Sequence, residues 1–245
     1  MGFLAAVQFL TIIPVRRSVT QRDIGRSLVF FPIVGLGIGA VLLGLDHLFN
    51  LFLPAAIGSI LLIIALVLIT GASHLDGFID TCDSMVAGRS PKERHAIMRD
   101  SRVGAFGVVG VCCLLLVKYA SLLTLPDDYR MAGLLLMPVL GRWSMVYAIL
   151  AYPAARSEGL GQYFKEQSNW WGLVIATIIT IAVSVVLLNL WGLALVVAIW
   201  LILVIISVVL RKKLGGLTGD TYGAINEVIE VCTLILVPLI AGGYF

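Results

Sequence analysis

Charge is scarce in this sequence. Only 13% of its residues are Asp, Glu, Lys or Arg and 60% are hydrophobic, whereas soluble domains carry roughly 25% charged residues. With a mean hydropathy of +1.05, that scarcity excludes an ordinary water-soluble domain. The net charge of +3 gives no ground for a nucleic-acid partner. Cysteines are few. Cys82, Cys112, Cys113 and Cys232 lack the spacing of a zinc or redox motif, and three of them lie in apolar runs, where a thiol packs as a small hydrophobe. No basic segment precedes the first apolar stretch, so a cleaved signal peptide is not expected. Internal repeats, a low-complexity tail and a Walker A motif are all missing.

What is present is apolar runs long enough to cross a bilayer, which takes about 20 residues each. They predict seven spans, at 27–49, 52–72, 104–124, 131–150, 170–189, 191–210 and 227–245. The fold class is therefore all-α, a polytopic integral membrane helix bundle, with residues 1–245 forming a single membrane-embedded catalytic domain. Residues 3–13 are apolar but short and end at Pro14, which suits an interfacial or re-entrant helix.

Basic residues set the orientation. Arg16, Arg17, Arg22 and Arg26 precede the first span; Arg89, Lys92, Arg94, Arg99 and Arg102 follow the second; Arg156 and Lys165 follow the fourth; Arg211, Lys212 and Lys213 follow the sixth. These are 14 of the 17 Lys and Arg residues, and seven spans put them all on one side. The positive-inside rule makes that side cytoplasmic and the C-terminus external, as in a multi-pass protein of the bacterial inner membrane. Trp170, Trp171 and Trp191 open two spans, as interfacial anchors do.

Against this background, residues 74–85, HLDGFIDTCDSM, gather Asp76, Asp80 and Asp83. If the second helix continues through them, their i, i+4, i+7 spacing places them within an arc of about 60°. Carboxylates stacked on one face repel, and at a membrane edge they call for a cation. Oxygen ligands without organised His or Cys partners suit Mg²⁺, with Mn²⁺ as a substitute. The alternative is a solvated helix end paired with the nearby arginines.

Other elements fall on the same side. In IMRDSRVGAFG, residues 97–107, Asp100 is a candidate fourth ligand, and Arg99 and Arg102 are candidates for forked contacts to phosphate. Lys213 precedes a glycine-rich stretch with Gly215, Gly216 and Gly219, able to present backbone N–H groups to phosphate, and Asp220 suits a metal or a ribose hydroxyl. Glu227 and Glu230 open the last span, where carboxylates also favour the helix dipole. Arg142 lies inside the fourth span, and an intramembrane arginine is a functional candidate by default; snorkelling is its bland reading. Acids for a metal, bases for phosphate and a glycine-rich loop together fit metal-assisted phosphoryl transfer.

The chain also resembles the cobalamin synthase family, the adenosylcobinamide-GDP ribazoletransferases. The similar stretches are QFLTIIP (8–14), FFPIVG (30–35), HLDGFIDTCDSM (74–85), IMRDSRVGAFG (97–107), GR (141–142), ARSEGLG (155–161) and LGGLTGDTYGA (214–224). Ser84 stands where the family's acidic motif usually ends in Gly. The resemblance implies a Mg²⁺-dependent reaction joining α-ribazole or its 5′-phosphate to adenosylcobinamide-GDP, with release of GMP. It implies Asp76, Asp80, Asp83 and Asp100 as metal ligands and His74 as a base or hydrogen-bond partner. The implied partners are the two substrates and the lipid bilayer; a homo-oligomer is compatible with the sequence. Two rivals are a CDP-alcohol phosphotransferase, whose later acidic motif is missing, and a cation- or proton-coupled transporter, whose ionisable groups would sit near the bilayer midplane.

Overall fold

The computed structural model describes residues 1–15, 20–155 and 160–242. Arg16, Arg17, Arg156 and positions 243–245 of the last expected span lie outside the described residues, as does the side chain of Arg22. The described chain is helical, with one isolated bridge between Ala154 and Leu217. Its helices are α1 Gly2–Leu10, α2 Gln21–Ser27, α3 Phe31–Asn50, α4 Ala55–Thr70, α5 Ser73–Ala87, α6 Pro91–Ile97, α7 Ala105–Leu123, α8 Asp127–Ala151, α9 Leu160–Gln167, α10 Trp170–Leu188, α11 Leu190–Leu214 and α12 Gly219–Ala241. A short 3₁₀ turn, Leu28–Phe30, joins α2 to α3.

Six segments are long and apolar enough to cross a membrane: Asp23–Asn50, α7, α8, α10, α11 and α12. The expected second span is different. It is not one straight helix; α4 and α5 are bent by 94° at Gly71 and Ala72, two successive left-handed residues with φ 63° and 58°. The left-handed state costs a residue with a Cβ roughly 1–2 kcal/mol, so Ala72 is held there by its surroundings. At about 24 Å, α4 is short for a bilayer core. Together α4 and α5 are long and apolar enough for a seventh crossing, as a broken span or a re-entrant loop. Beyond the bend α5 runs past the start of α12, because α5 is antiparallel to α12, with His74 against Gly223 and Gly77 against Asp220.

The last span also needs correction. Helix α12 starts at Gly219 rather than near 227, because Thr218 forms a capping box with Thr221. Helix α1 has nine residues, about 14 Å, and packs on α2 and α3 without crossing.

Helix α8 is the hub. It is packed upon by α3, α10, α11 and α12, and Leu134, Leu136, Val139, Leu140 and Val146 are fully buried. The opposite pattern holds on α10 and α11, where Trp171, Val186, Leu190 and Ile205 face outward, as a lipid environment allows.

Candidate functional site

Helix α5 carries the aspartates into a corner formed by α7 and α12. Its small residues let it approach. A methyl group on Gly77 would lie 2.6 Å from the carbonyl oxygen of Asp220, a distance no side chain adopts, so only glycine lets α5 meet the first turn of α12 here. Asp83 is buried and accepts hydrogen bonds from the backbone N–H groups of Gly104 and Gly107, both at 2.8 Å. It caps the start of α7, satisfying donors that a helix N-terminus leaves open. Gly104 and Gly107 thus approach the Asp83 carboxylate closely.

Asp76 is exposed and Asp80 half-buried. Burial, and then the like charges of Asp76, Asp220 and Asp83, push the Asp80 carboxyl up to about 6. Asp220 is the carboxylate that reaches this group from outside α5. Asp100 is turned elsewhere: Arg102 clasps it with Nε at 3.0 Å and Nη2 at 2.6 Å, and that guanidinium holds its carboxyl down at about 2. Arg99 and Arg102 project from the surface beside it.

The glycine-rich stretch is mostly not a loop. Gly215 ends α11 in the left-handed conformation, with φ 79°. The following residues are tied to the end of α8, with Ala155 N–H donating to Leu217 O at 2.8 Å and Leu217 N–H to Pro153 O at 2.9 Å. Gly216 packs against the backbone of Ala154 and Ala155, while Gly219 begins α12 with open space beside it. Lys213 is exposed on the last turn of α11; its carbonyl accepts from Arg94 at 3.2 Å, which joins α6 to this end of the bundle.

Oxygen-only donors whose charges oppose one another have the chemistry of a hard divalent-cation site. Among the described residues, no three His, Cys, Asp or Glu side chains form a ready-made metal cluster. A cation here would therefore be completed by water or substrate oxygens, which is how Mg²⁺ is commonly held.

A second charged group lies deeper. Lys118 donates to Glu227 and Glu230, both at 2.7 Å. Arg142, fully buried, pairs with Glu230, and Asn226 donates to the same carboxylate at 3.1 Å. Arg142 thus holds α12 through Nη1, while its Nε and Nη2 have no hydrogen-bond partner in the protein, and the two glutamates tie α12 to α7 and α8. Near the other end, Arg130 forks onto Asp46 with Nη2 at 2.6 Å. The three basic residues outside that set of 14, Lys118, Arg130 and Arg142, all sit in ion pairs inside the bundle. Sequence reasoning missed Lys118, Arg130 and Asp46, although a charge within an apolar run was the available signal. His74 is buried at the start of α5, in the field of Arg142, Glu230 and Lys118.

The fold and site thus describe a polytopic helical membrane protein with carboxylates gathered at one end of the bundle. The family described as Cobalamin-5-phosphate synthase matches residues 2–238, and the chain belongs to that family, whose members are transferases. Similar proteins include the adenosylcobinamide-GDP ribazoletransferase of Geotalea daltonii, 39% identical over 99% of this chain and 98% of the relative. That of Desulforamulus reducens is 36% identical over 96% and 94%, and that of Pseudomonas savastanoi pv. phaseolicola is 36% identical over 98% and 100%. No solved structure matches the chain.

Proposed function

We propose that this protein joins α-ribazole, or its 5′-phosphate, to adenosylcobinamide-GDP on the cytoplasmic face of the bacterial inner membrane. A ribose hydroxyl attacks the phosphorus that carries the cobinamide. The new O–P bond forms as the pyrophosphate P–O bond breaks, the electron pair leaves with GMP, and the hydroxyl proton is released. The family membership supports the substrates. The observation that carries the site is the close approach of α5 to the start of α12, Gly77 against the backbone of Asp220, with Asp80 in the field of Asp76, Asp220 and Asp83.

These carboxylates would hold Mg²⁺, with Mn²⁺ as a substitute. When bound, the ion would neutralise charge on the transferring phosphate and its leaving group. Asp83, already fixed by Gly104 and Gly107, sets the orientation of α5 against α7. Asp220 brings the start of α12 to the same place. Arg99, Arg102 and Lys213 supply positive charge at this end of the bundle for the pyrophosphate. Arg102 would exchange Asp100 for phosphate oxygens, which a forked guanidinium does well and lysine does not.

The test is GMP release by purified protein in lipid nanodiscs, given adenosylcobinamide-GDP with either free or phosphorylated ribazole. Release should need the acceptor and stop on chelation of Mg²⁺. Acceptor-independent release, or release unaffected by chelation, would overturn the reading.

A further inference from the structure

A cleft of about 190 Å³ is bordered by Asp220, the residue whose backbone meets Gly77 of α5. Its walls come from α1, α5, α8, α9 and α12. Phe9 and Phe164 line it, with their rings in edge-to-face contact at 4.8 Å, and Met145 and Ile149 contribute from α8. Phe31 stacks behind Phe9 at 5.7 Å, so the aromatic wall is backed and fixed. The polar side chains of the lining are Ser73, His74, Asp220 and Tyr222.

Tyr222 and His74 are 3% and 4% exposed, yet the Tyr222 hydroxyl and the His74 Nδ1 have no hydrogen-bond partner in the protein. Buried polar atoms are rarely left so, and both belong to residues lining one cleft. A site with apolar aromatic walls and few polar groups suits a flat, largely apolar heterocycle.

We propose that this cleft holds the aromatic base of the acceptor nucleoside, a benzimidazole-type riboside. The inference rests on the function proposed above and adds the location of its acceptor. The Tyr222 hydroxyl donates to the free ring nitrogen. The ribose lies toward Asp220, which borders the cleft and whose backbone meets Gly77 of α5, so its hydroxyl points at the reaction centre. The aromatic wall and α12 thereby select an acceptor by the shape and low polarity of its base.

The experiment measures steady-state KM for each substrate, using full-length protein in nanodiscs. Met145→Trp fills the cleft and should raise the acceptor KM by about tenfold or more, with the KM for adenosylcobinamide-GDP changed by less than about twofold. Tyr222→Phe removes only the hydroxyl, and serves if the larger substitution fails to insert. It should raise the KM for a benzimidazole riboside severalfold and leave that for an indole riboside, which lacks the acceptor nitrogen, unchanged. Equal effects on both ribosides, an unchanged acceptor KM in a folded variant, or a selective rise in the corrinoid KM would overturn the assignment. Wild-type GMP release in the same assay separates a failure of this inference from a failure of the function itself.

Discussion

Gly77 of α5 lies against the backbone of Asp220 of α12, leaving no room for a Cβ. That contact brings two helices distant in sequence to one carboxylate cluster. Gly77→Ala should force them apart. Displacements near 1 Å at a reaction centre cost up to about a hundredfold in rate, so kcat should fall by at least about tenfold while the protein still inserts. Size-exclusion behaviour and turnover on the same preparation check this; wild-type kcat would show that the approach is dispensable.

Asp80 gives a pH signature. Its carboxyl sits at about 6, against an ordinary value of 3.8. Between these values the folded protein keeps a proton that the unfolded chain releases, so metal-free stability falls as pH rises through that window and then levels. The proton also competes with a cation. Mn²⁺ affinity of the substrate-free protein should therefore climb by up to about tenfold per pH unit toward pH 6 and flatten above it. A flat titration from pH 5 to 7 would contradict this.

The buried charges predict losses of stability rather than of substrate affinity. Glu230→Gln weakens the joint partner of Lys118 and Arg142, and breaking a buried pair typically costs about 3–5 kcal/mol. Its thermal midpoint should drop markedly, and Arg142→Met should do the same. A normal midpoint with a raised KM for adenosylcobinamide-GDP would return Arg142 to the substrate.

Much of this architecture was legible because a bilayer imposes a simple rule on helix length. Spans at 104–124 and 170–189 correspond closely to α7 and α10. The bend at Gly71 and Ala72 was not legible, since alanine gives no local signal for a left-handed backbone; tertiary contacts impose it. The start of α12 was not legible either: Thr218 caps it, but the glycines around it favoured a loop. The local spacing of Asp76, Asp80 and Asp83 survived the bend because all three lie on α5. Asp220 and Asp100 show the limit of such reading. Which distant carboxylate joins the group is decided by how α12 packs on α5, and sequence spacing carries no record of that.

The orientation is open to a direct check. The bias of 14 basic residues to one set of loops predicts a cytoplasmic location for the end of the bundle where α6 meets α11. Single cysteines introduced in 89–95 and near residue 242, in a background without the native thiols, should label from opposite sides of the membrane. Labelling of both from one side would contradict seven crossings.

Asp80→Asn keeps the shape of the side chain and removes its charge. Its rate of GMP release under saturating substrates and Mg²⁺, measured beside its thermal midpoint, reports whether the α5 carboxylates are the reaction centre. Losing one group that stabilises developing charge costs roughly 10²–10³ in rate, so turnover should fall by at least that factor with the midpoint unchanged or raised by relief of like-charge repulsion. Turnover near the wild-type rate in the folded variant would contradict the assignment.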